Sequence, residues 1–225
     1  EELDDIKKKN SETEVKNSVL EKQIAEKETE ILNLKDANKT QAYEYAEKIN
    51  SMESEKAKSK LAMQKEGGLP ERKDVPLLSI ISRLASHKGL DLVAENAYRM
   101  MNETNCNFVL LGTGEPALER FFSGLEYAFP GRVKALITFD RPLSKRIYSA
   151  ADVFLMPSKS EPCGLSQMIA SRYGAVPVTR ETGGLYDSIK NYSEQDSRVL
   201  GNGFTFADYS SEALYGKIRE ALALY

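Results

Sequence analysis

Hydrophobic positions in the first 66 residues have the spacing of one long helix. No glycine or proline occurs before Gly67, and Glu, Lys, Asn, Ser and Ala dominate, with sparse Leu and Ile. These residue types favour helix, and the stretch contains no helix breaker. The pattern therefore predicts a long, charged α-helical arm over residues 1–66.

The apolar residues of this arm form an imperfect heptad pattern. With Ile24 and Ile31 at position a, Leu20 and Leu34 fall at position d, as in a coiled coil. Polar side chains interrupt the seam, including three at position a: Asn10, Asn17 and Asn38. Three alternatives stay open: a solvated charged helix without a specific partner, a dimerising coiled coil, and an arm that is partly disordered or foreign to the domain that follows.

From residue 77 onward, short β-rich runs alternate with amphipathic stretches, after a linker at 67–76 that contains Gly67, Gly68 and Pro70. Strands are expected at 77–82, 107–112, 133–139, 152–157, 175–179 and 203–206, and helices at 88–102, 115–128, 143–150, 164–173 and 210–224. This alternation predicts an α/β domain over residues 77–225, a Rossmann-like parallel sheet with helices on both faces. Ligands of such sheets meet the loops that follow the strands.

Composition and charge narrow the function classes. The formal net charge of −3 provides no global attraction to nucleic acid or an anionic membrane, so neither is an expected partner. Two cysteines, Cys106 and Cys163, and a single histidine, His87, provide neither a disulfide framework nor the ligands of a zinc site, so no zinc or other thiolate-bound metal is expected. No apolar run approaches the ~18 residues of a membrane span, and the amino terminus does not resemble a signal peptide. A reducing, cytosolic location fits these features best.

The loop after the first predicted strand carries two cations. Arg83 and Lys88 lie five residues apart around a turn that Gly89 closes. An arginine fork and a lysine point charge suit a diphosphate, although both residues would also serve as ordinary surface cations. His87 lies between them and has no nearby carboxylate in the sequence, so we interpret it as a bystander.

A carboxylate follows the fourth predicted strand, in the stretch Glu161-Pro-Cys-Gly. Beside a helix amino terminus it would stay ionised and accept hydrogen bonds from sugar hydroxyls, with helix capping as the alternative. Cys163 has no local histidine or acid to activate its thiol and is expected to contribute backbone only. Gln167, early in the helix, would orient the turn or touch a ligand.

The loops after the second and third strands carry weaker signals. Gly112 and Gly114 precede Glu115, which would repel an anion, so this pattern favours a tight structural turn over a phosphate site. Phe139 would either stack on a nucleobase or cap the core.

Paired glycines follow the fifth predicted strand. Gly183 and Gly184, with the hydroxyl of Thr182 beside them, predict a backbone nest for a phosphate. Two phosphate-binding loops that flank a sugar-reading carboxylate favour a nucleotide sugar over a bare nucleotide.

Four stretches together resemble the carboxyl-terminal domain of bacterial glycogen synthases and plant starch synthases: ISRLASHKGLDL, SAADVFLMPSKSEPCGLSQM, ASRYGAVPVTRETGGLYDSI and GNGFTF. The resemblance spans roughly residues 56–225. It implies the donor-binding half of a two-domain retaining glucosyltransferase that elongates α-1,4-glucan. The substrate would be ADP-glucose, with UDP-glucose as the other donor to consider, and no cofactor is implied. The glucan acceptor would bind through an amino-terminal domain that this sequence lacks.

The resemblance also implies residue roles. Arg83 and Lys88 would hold the diphosphate and offset charge on the departing nucleotide, while Glu161 contacts the glucose hydroxyls. These three are the candidate catalytic residues. Donor contacts are implied for Phe139, which stacks on the base, and for Cys163, Gly164, Leu165, Thr182, Gly183, Gly184 and Leu185.

The sequence departs from the family pattern at two positions and leaves other functions open. Ile169 stands where the family carries a second Glu, an aromatic residue or a His, and Phe139 stands where it more usually carries a Tyr. The chain alone is expected to bind donor weakly and to turn over little. The alternatives are another retaining glycosyltransferase and a non-catalytic assembly module whose arm forms a homo-oligomer. The location would be the cytoplasm, or a plastid for a plant protein.

Overall fold

The computed structural model describes residues 2–196 and 198–225. The chain divides into two compact units, Glu1–Glu53 and Ser54–Tyr225. Helix α1 (Glu2–Glu66) makes up the described part of the first unit, where every side chain whose burial is described is exposed. The predicted long helix is therefore present. None of the helices in the described residues is long and apolar enough to cross a membrane.

The last turns of α1 belong to the second unit. Met63 and Gln64 are buried, and Lys60 is 3% exposed in its side chain and forms an ion pair with Asp152 at 2.6 Å. The compact unit thus starts within the helix, whereas the glycines and prolines mark the change at residue 67. Composition marks the point where a helix ends, but burial of these side chains decides where the domain begins.

The second unit contains a sheet of parallel strands alternating with helices. The strands are β1 (Leu77–Ile81), β2 (Asn107–Leu111), β3 (Val133–Leu136), β4 (Val153–Met156), β5 (Val176–Arg180), β6 (Ser193–Gln195), β7 (Arg198–Leu200) and β8 (Phe204–Phe206). The helices that follow α1 are α2 (Leu90–Glu103), α3 (Pro116–Ala128), α4 (Arg141–Ala150), α5 (Ser166–Arg172), α6 (Gly183–Ser188) and α7 (Ser211–Ala223).

Six of the strands form one parallel sheet in the order β3-β2-β1-β4-β5-β8. Side chains alternate between its two faces, as strand geometry requires. Leu78 and Ile80 of β1 pack with α2, α3 and α7, while Leu77 packs with α4 and with Met63 of α1. The predicted α/β class, with a Rossmann-like parallel sheet covered on both faces, is confirmed.

Three of the differences between the predicted and the observed elements have a clear local cause. Strand β3 ends at Leu136 rather than at residue 139, because the chain turns there and the Thr138 amide donates to the Leu136 carbonyl at 2.9 Å. Helix α4 starts two residues earlier than expected, because the Asp140 carboxylate caps it through the Leu143 amide at 2.8 Å. The antiparallel pair β6–β7 was missed because its residues are exposed and show no apolar alternation.

Candidate functional site

The strand order changes direction between β1 and β4, and a crevice opens at their carboxyl ends. The crevice has a volume of about 360 Å³ and is lined by Arg83 and Lys88 after β1 and by Ser158 and Ser166 after β4. Open α/β sheets place their ligands at such a switch point because the connecting loops run apart there. The two predicted cations therefore lie in one cleft.

Glu161 lies beside this crevice and contacts two of its lining residues, Lys88 and Ser158. Lys88 Nζ lies 2.5 Å from Glu161 Oε2, and the Ser158 hydroxyl donates to the same oxygen at 3.3 Å. The Glu161 side chain is only 12% exposed, and α5 has no side-chain cap, so the predicted capping role is wrong. The paired cation keeps this half-buried carboxylate from carrying an uncompensated charge.

Arg83 lies at the open side of the crevice. Its side chain is exposed, and its Nη2 lies 3.3 Å from Nε2 of His87. The carbonyl of His87 accepts the Lys159 amide at 2.9 Å, so the histidine segment joins the loop after β1 to the loop after β4. His87 therefore joins the two loops through its main chain, and its ring contacts Arg83.

The loop after β2 supports the loop after β1. The Glu115 carboxylate accepts the Ser86 amide at 2.7 Å, and the Glu115 amide donates to the Leu84 carbonyl at 2.7 Å. A Cβ on Gly112 would lie 1.8 Å from the Ser82 carbonyl oxygen, so only glycine permits this approach. These contacts agree with the predicted structural turn.

The paired glycines at the start of α6 allow two loops to touch. A Cβ on Gly183 would lie 2.3 Å from the Glu161 carbonyl oxygen, and a Cβ on Gly184 would lie 1.7 Å from that of Cys163. The Gly184 amide donates to the Glu161 carbonyl, and the Leu185 amide donates to Thr182. Of the two glycine amides of the predicted nest, that of Gly184 is thus used within the protein, which leaves the amide of Gly183 for a ligand.

Gln167 supports the turn that follows Glu161 through hydrogen bonds on its buried side. This side chain is fully buried and donates to the carbonyl of Gly164 and to the hydroxyl of Ser188, each at 2.9 Å. Leu185 is also fully buried and lies against Gly164. Cys163 is exposed beside them. The buried side of the turn is therefore packed against Gln167 and Leu185.

Phe139 lines a second cleft next to the crevice. This cleft has a volume of about 390 Å³ and shares Ile81, Ser82 and Arg83 with the first, and its far side is formed by the loop after β2 and the start of α4. The Phe139 side chain is 84% exposed, so the core-capping alternative is wrong. An exposed ring beside a cation is suited to stack on a flat ligand.

A third groove of about 750 Å³ continues between α4 and α5. Leu165 and Ile169 line it, with Arg141 and Arg172 at its rim. Tyr148 forms part of the wall, and burial raises the pKa of its hydroxyl. The predicted donor-contact residue Leu165 therefore faces a different groove from Arg83 and Lys88.

Three residues of the site escaped prediction from the sequence. Ser158 donates to the carboxylate of Glu161, and Arg180 donates to the Lys159 carbonyl at 3.0 Å. Glu115 accepts from the Ser86 amide in the loop that carries Arg83 and Lys88. Ser158 and Arg180 each lie close behind a predicted strand end, and this position is the signal that could have found them. Glu115 was considered only as a charge that would repel phosphate.

Comparison with known proteins places this architecture in a family. Residues 62–225 match the family model described as glycosyl transferases group 1. The chain belongs to that family. The group 1 domain of this chain has the fold of a solved carboxyl-terminal domain of a Francisella tularensis group 1 protein, with a TM-score of 0.54, 18% identity and coverage of 73% of this chain and 82% of that one.

Within the group 1 family, the chain is more similar in sequence to glycogen and starch synthases. Glycogen synthase of Bacillus licheniformis is 49% identical over 170 residues, which is 76% of this chain and 35% of that protein. The catalytic domain of starch synthase IV from Arabidopsis thaliana, solved with ADP and acarbose, superposes with a TM-score of 0.69 at 39% identity, again over 76% of this chain and 35% of that one. The predicted resemblance is confirmed, and the chain spans about a third of the length of these relatives.

Proposed function

We propose that this chain is the donor-binding part of a retaining glucosyltransferase that transfers glucose from ADP-glucose to the non-reducing end of an α-1,4-glucan. The observation that carries the proposal is that Arg83 and Lys88 line one crevice and that Lys88 pairs with Glu161 beside it. The names of its relatives support it: glycogen synthase, and a starch synthase solved with ADP.

The charges of the crevice fit a sugar diphosphate. The Lys88 ammonium has three N–H donors, of which one reaches Glu161, so the others remain for phosphate oxygens. Arg83, at the open side, adds a guanidinium that can bind two oxygens of a phosphate. Fixed cations of this kind stabilise the charge that develops on a departing nucleoside diphosphate. The proposal therefore requires neither a metal nor another cofactor.

The carboxylate of Glu161 is placed to read the hexose. Both of its contacts are made through Oε2, so Oε1 keeps lone pairs for sugar hydroxyls. Phe139 would hold the base in the adjoining cleft. The acceptor glucan would bind mainly through another part of the enzyme, because this chain spans about a third of its relatives. By likeness to bacterial relatives, the proposed location is the cytoplasm, or a plastid in a plant.

Removing either cation tests the proposal. In Arg83→Ala and Lys88→Ala, affinity for ADP-glucose is expected to fall by about ten- to hundredfold, because a hydrogen bond to a charged group contributes ~1.5–3 kcal/mol. Calorimetry of the chain with ADP-glucose, UDP-glucose and ADP in parallel measures the effect and the base preference together. Arg219→Ala on α7 is the matched control and should bind as the parent does. Unchanged affinity in both cation variants would contradict the proposed diphosphate site.

We also propose a homo-oligomer formed through the arm. Apolar side chains of α1 are exposed at the predicted heptad positions, including Leu20 at 53%, Ile24 at 56%, Ile31 at 50% and Leu34 at 58%. Pairing with a second copy would remove this apolar surface from water.

Light scattering of the intact chain tests the oligomer. The parent is expected to have the mass of a dimer or larger assembly, and Ile24→Lys with Ile31→Lys should return it to the mass of a monomer, because charges would then occupy the seam. Glu26→Lys, which changes an exposed charge at heptad position c, away from the seam, is the control for altered charge alone. A parent chain with the mass of a monomer would refute the oligomer.

A further inference from the structure

The main chain of one residue, Lys159, joins the two halves of the crevice. The amide of Lys159 donates to the His87 carbonyl at 2.9 Å, in the loop that carries Arg83 and Lys88. The carbonyl of the same residue accepts from Arg180 Nη1 at 3.0 Å. Lys159 lies two residues before Glu161 in the chain. Any shift of the main chain at Lys159 therefore changes the distance between the cations and the carboxylate.

Arg180 is itself held in place from outside the crevice. It is the last residue of β5, and its guanidinium carbon lies 5.4 Å from the ring centroid of Tyr209. The Tyr209 hydroxyl donates to Asp91 in the first turn of α2 at 2.6 Å. Burial raises the pKa of this hydroxyl, and its bond to Asp91 raises it further, so the hydroxyl remains a donor at neutral pH.

The stacked ring and the strand end together fix where the guanidinium can lie. The Lys159 ammonium also lies near the same ring, at 5.5 Å from its centroid. Tyr209 thus contacts both residues that meet at the Lys159 carbonyl. The side chains of Arg180, Tyr209 and Asp91 therefore connect β5 to α2. Through the main chain of Lys159, Arg180 also connects to the two loops of the crevice.

We propose that Arg180 is a positioning residue that sets the spacing between the cations Arg83 and Lys88 and the sugar-reading carboxylate Glu161. Arg180 acts through the main chain at Lys159 and does not itself contact the sugar-nucleotide donor. This inference rests on the proposed function, because it assigns Arg180 to the same site. A ligand that spans both halves of the crevice needs the correct spacing, whereas a ligand that uses only the cation half does not.

ADP and ADP-glucose distinguish these two cases. Both carry the diphosphate, but only ADP-glucose also reaches Glu161. In Arg180→Gln, affinity for ADP-glucose is expected to fall about tenfold or more, because the displaced Glu161 carboxylate loses a hydrogen bond with a sugar hydroxyl, while affinity for ADP changes by less than about threefold. Arg180→Lys keeps the charge and a donor and should recover part of the lost affinity.

A second measurement needs no ligand. In the ¹⁵N-labelled full chain, hydrogen exchange of the Lys159 amide is expected to be faster in Arg180→Gln than in the parent. The main chain at Lys159 would then lack the hydrogen bond from Arg180 to its carbonyl. Arg99→Gln is the matched control: Arg99 also stacks on a tyrosine, 4.2 Å from the centroid of Tyr215, but away from the crevice. It should leave both the affinities and the Lys159 exchange rate unchanged.

The outcomes separate this inference from the proposed function. Equal losses for ADP and ADP-glucose, or unchanged exchange at Lys159, would overturn the positioning role. Failure of the proposed function would appear in the parent chain, as absence of ADP-glucose binding. In that event the exchange rate still decides whether Arg180 holds the Lys159 peptide, and an unchanged rate overturns the inference.

Discussion

Replacing Lys60 with methionine is expected to lower the free energy of unfolding by about 3–5 kcal/mol, the cost of leaving a buried charge without its partner. The two side chains of the Lys60–Asp152 pair are 3% and 8% exposed, and their charged atoms lie 2.6 Å apart. Lys60 also donates to the Lys73 carbonyl at 2.9 Å and to the Tyr225 hydroxyl. Urea unfolding of the parent and the variant measures the difference.

A control on the same helix separates burial from charge. Lys58 pairs with Glu55 at 2.8 Å, but both side chains are about 70% exposed, at 69% and 71%. Lys58→Met should therefore change stability by less than about 1 kcal/mol. Adding Asp152→Asn to Lys60→Met removes the unpaired charge and should recover part of the loss, while the Leu77 amide keeps an acceptor. Equal effects of Lys60→Met and Lys58→Met would refute the buried pair as an anchor of α1.

Gly184→Ala is expected both to destabilise the domain and to weaken ADP-glucose binding. The new methyl group would lie 1.7 Å from the Cys163 carbonyl oxygen and 2.5 Å from its carbon, so the two loops must separate. Overpacking of this kind typically costs about 1–3 kcal/mol. Because the Gly184 amide is bonded to Glu161, the movement would shift the carboxylate and reduce affinity by about tenfold or more, equivalent to ~1.4 kcal/mol.

Gly216→Ala is the matched control for this substitution. Gly216 lies within α7, and a Cβ there would meet no atom within 4 Å. Alanine should stabilise that helix by about 0.5–1 kcal/mol because it restricts the unfolded chain and favours helix. ADP-glucose affinity should remain that of the parent. If Gly184→Ala also bound ADP-glucose normally, contact between the loops would not determine the position of Glu161.

Much of the candidate site was predictable because it follows strand ends. Arg83, Lys88 and Glu161 each follow an apolar run, and the parallel sheet brings Arg83 and Lys88 into one crevice with Glu161 beside it, paired with Lys88. The phosphate nest was predicted less well. The amide of Gly184 serves the protein itself, and the sequence pattern of two glycines is the same whether they bind a phosphate or allow loops to touch.

The long helix, the six strands of the parallel sheet and the edge where the loops gather follow from the amino-acid pattern, since they depend on local periodicity and on helix breakers such as Gly67. Other features emerge only from the folded chain: the domain begins inside α1, Glu161 pairs with Lys88, and Arg180 donates to the Lys159 carbonyl. These features are contacts between residues distant in the chain. Periodicity carries no information about them, because they depend on how side chains and loops meet once the sheet has formed.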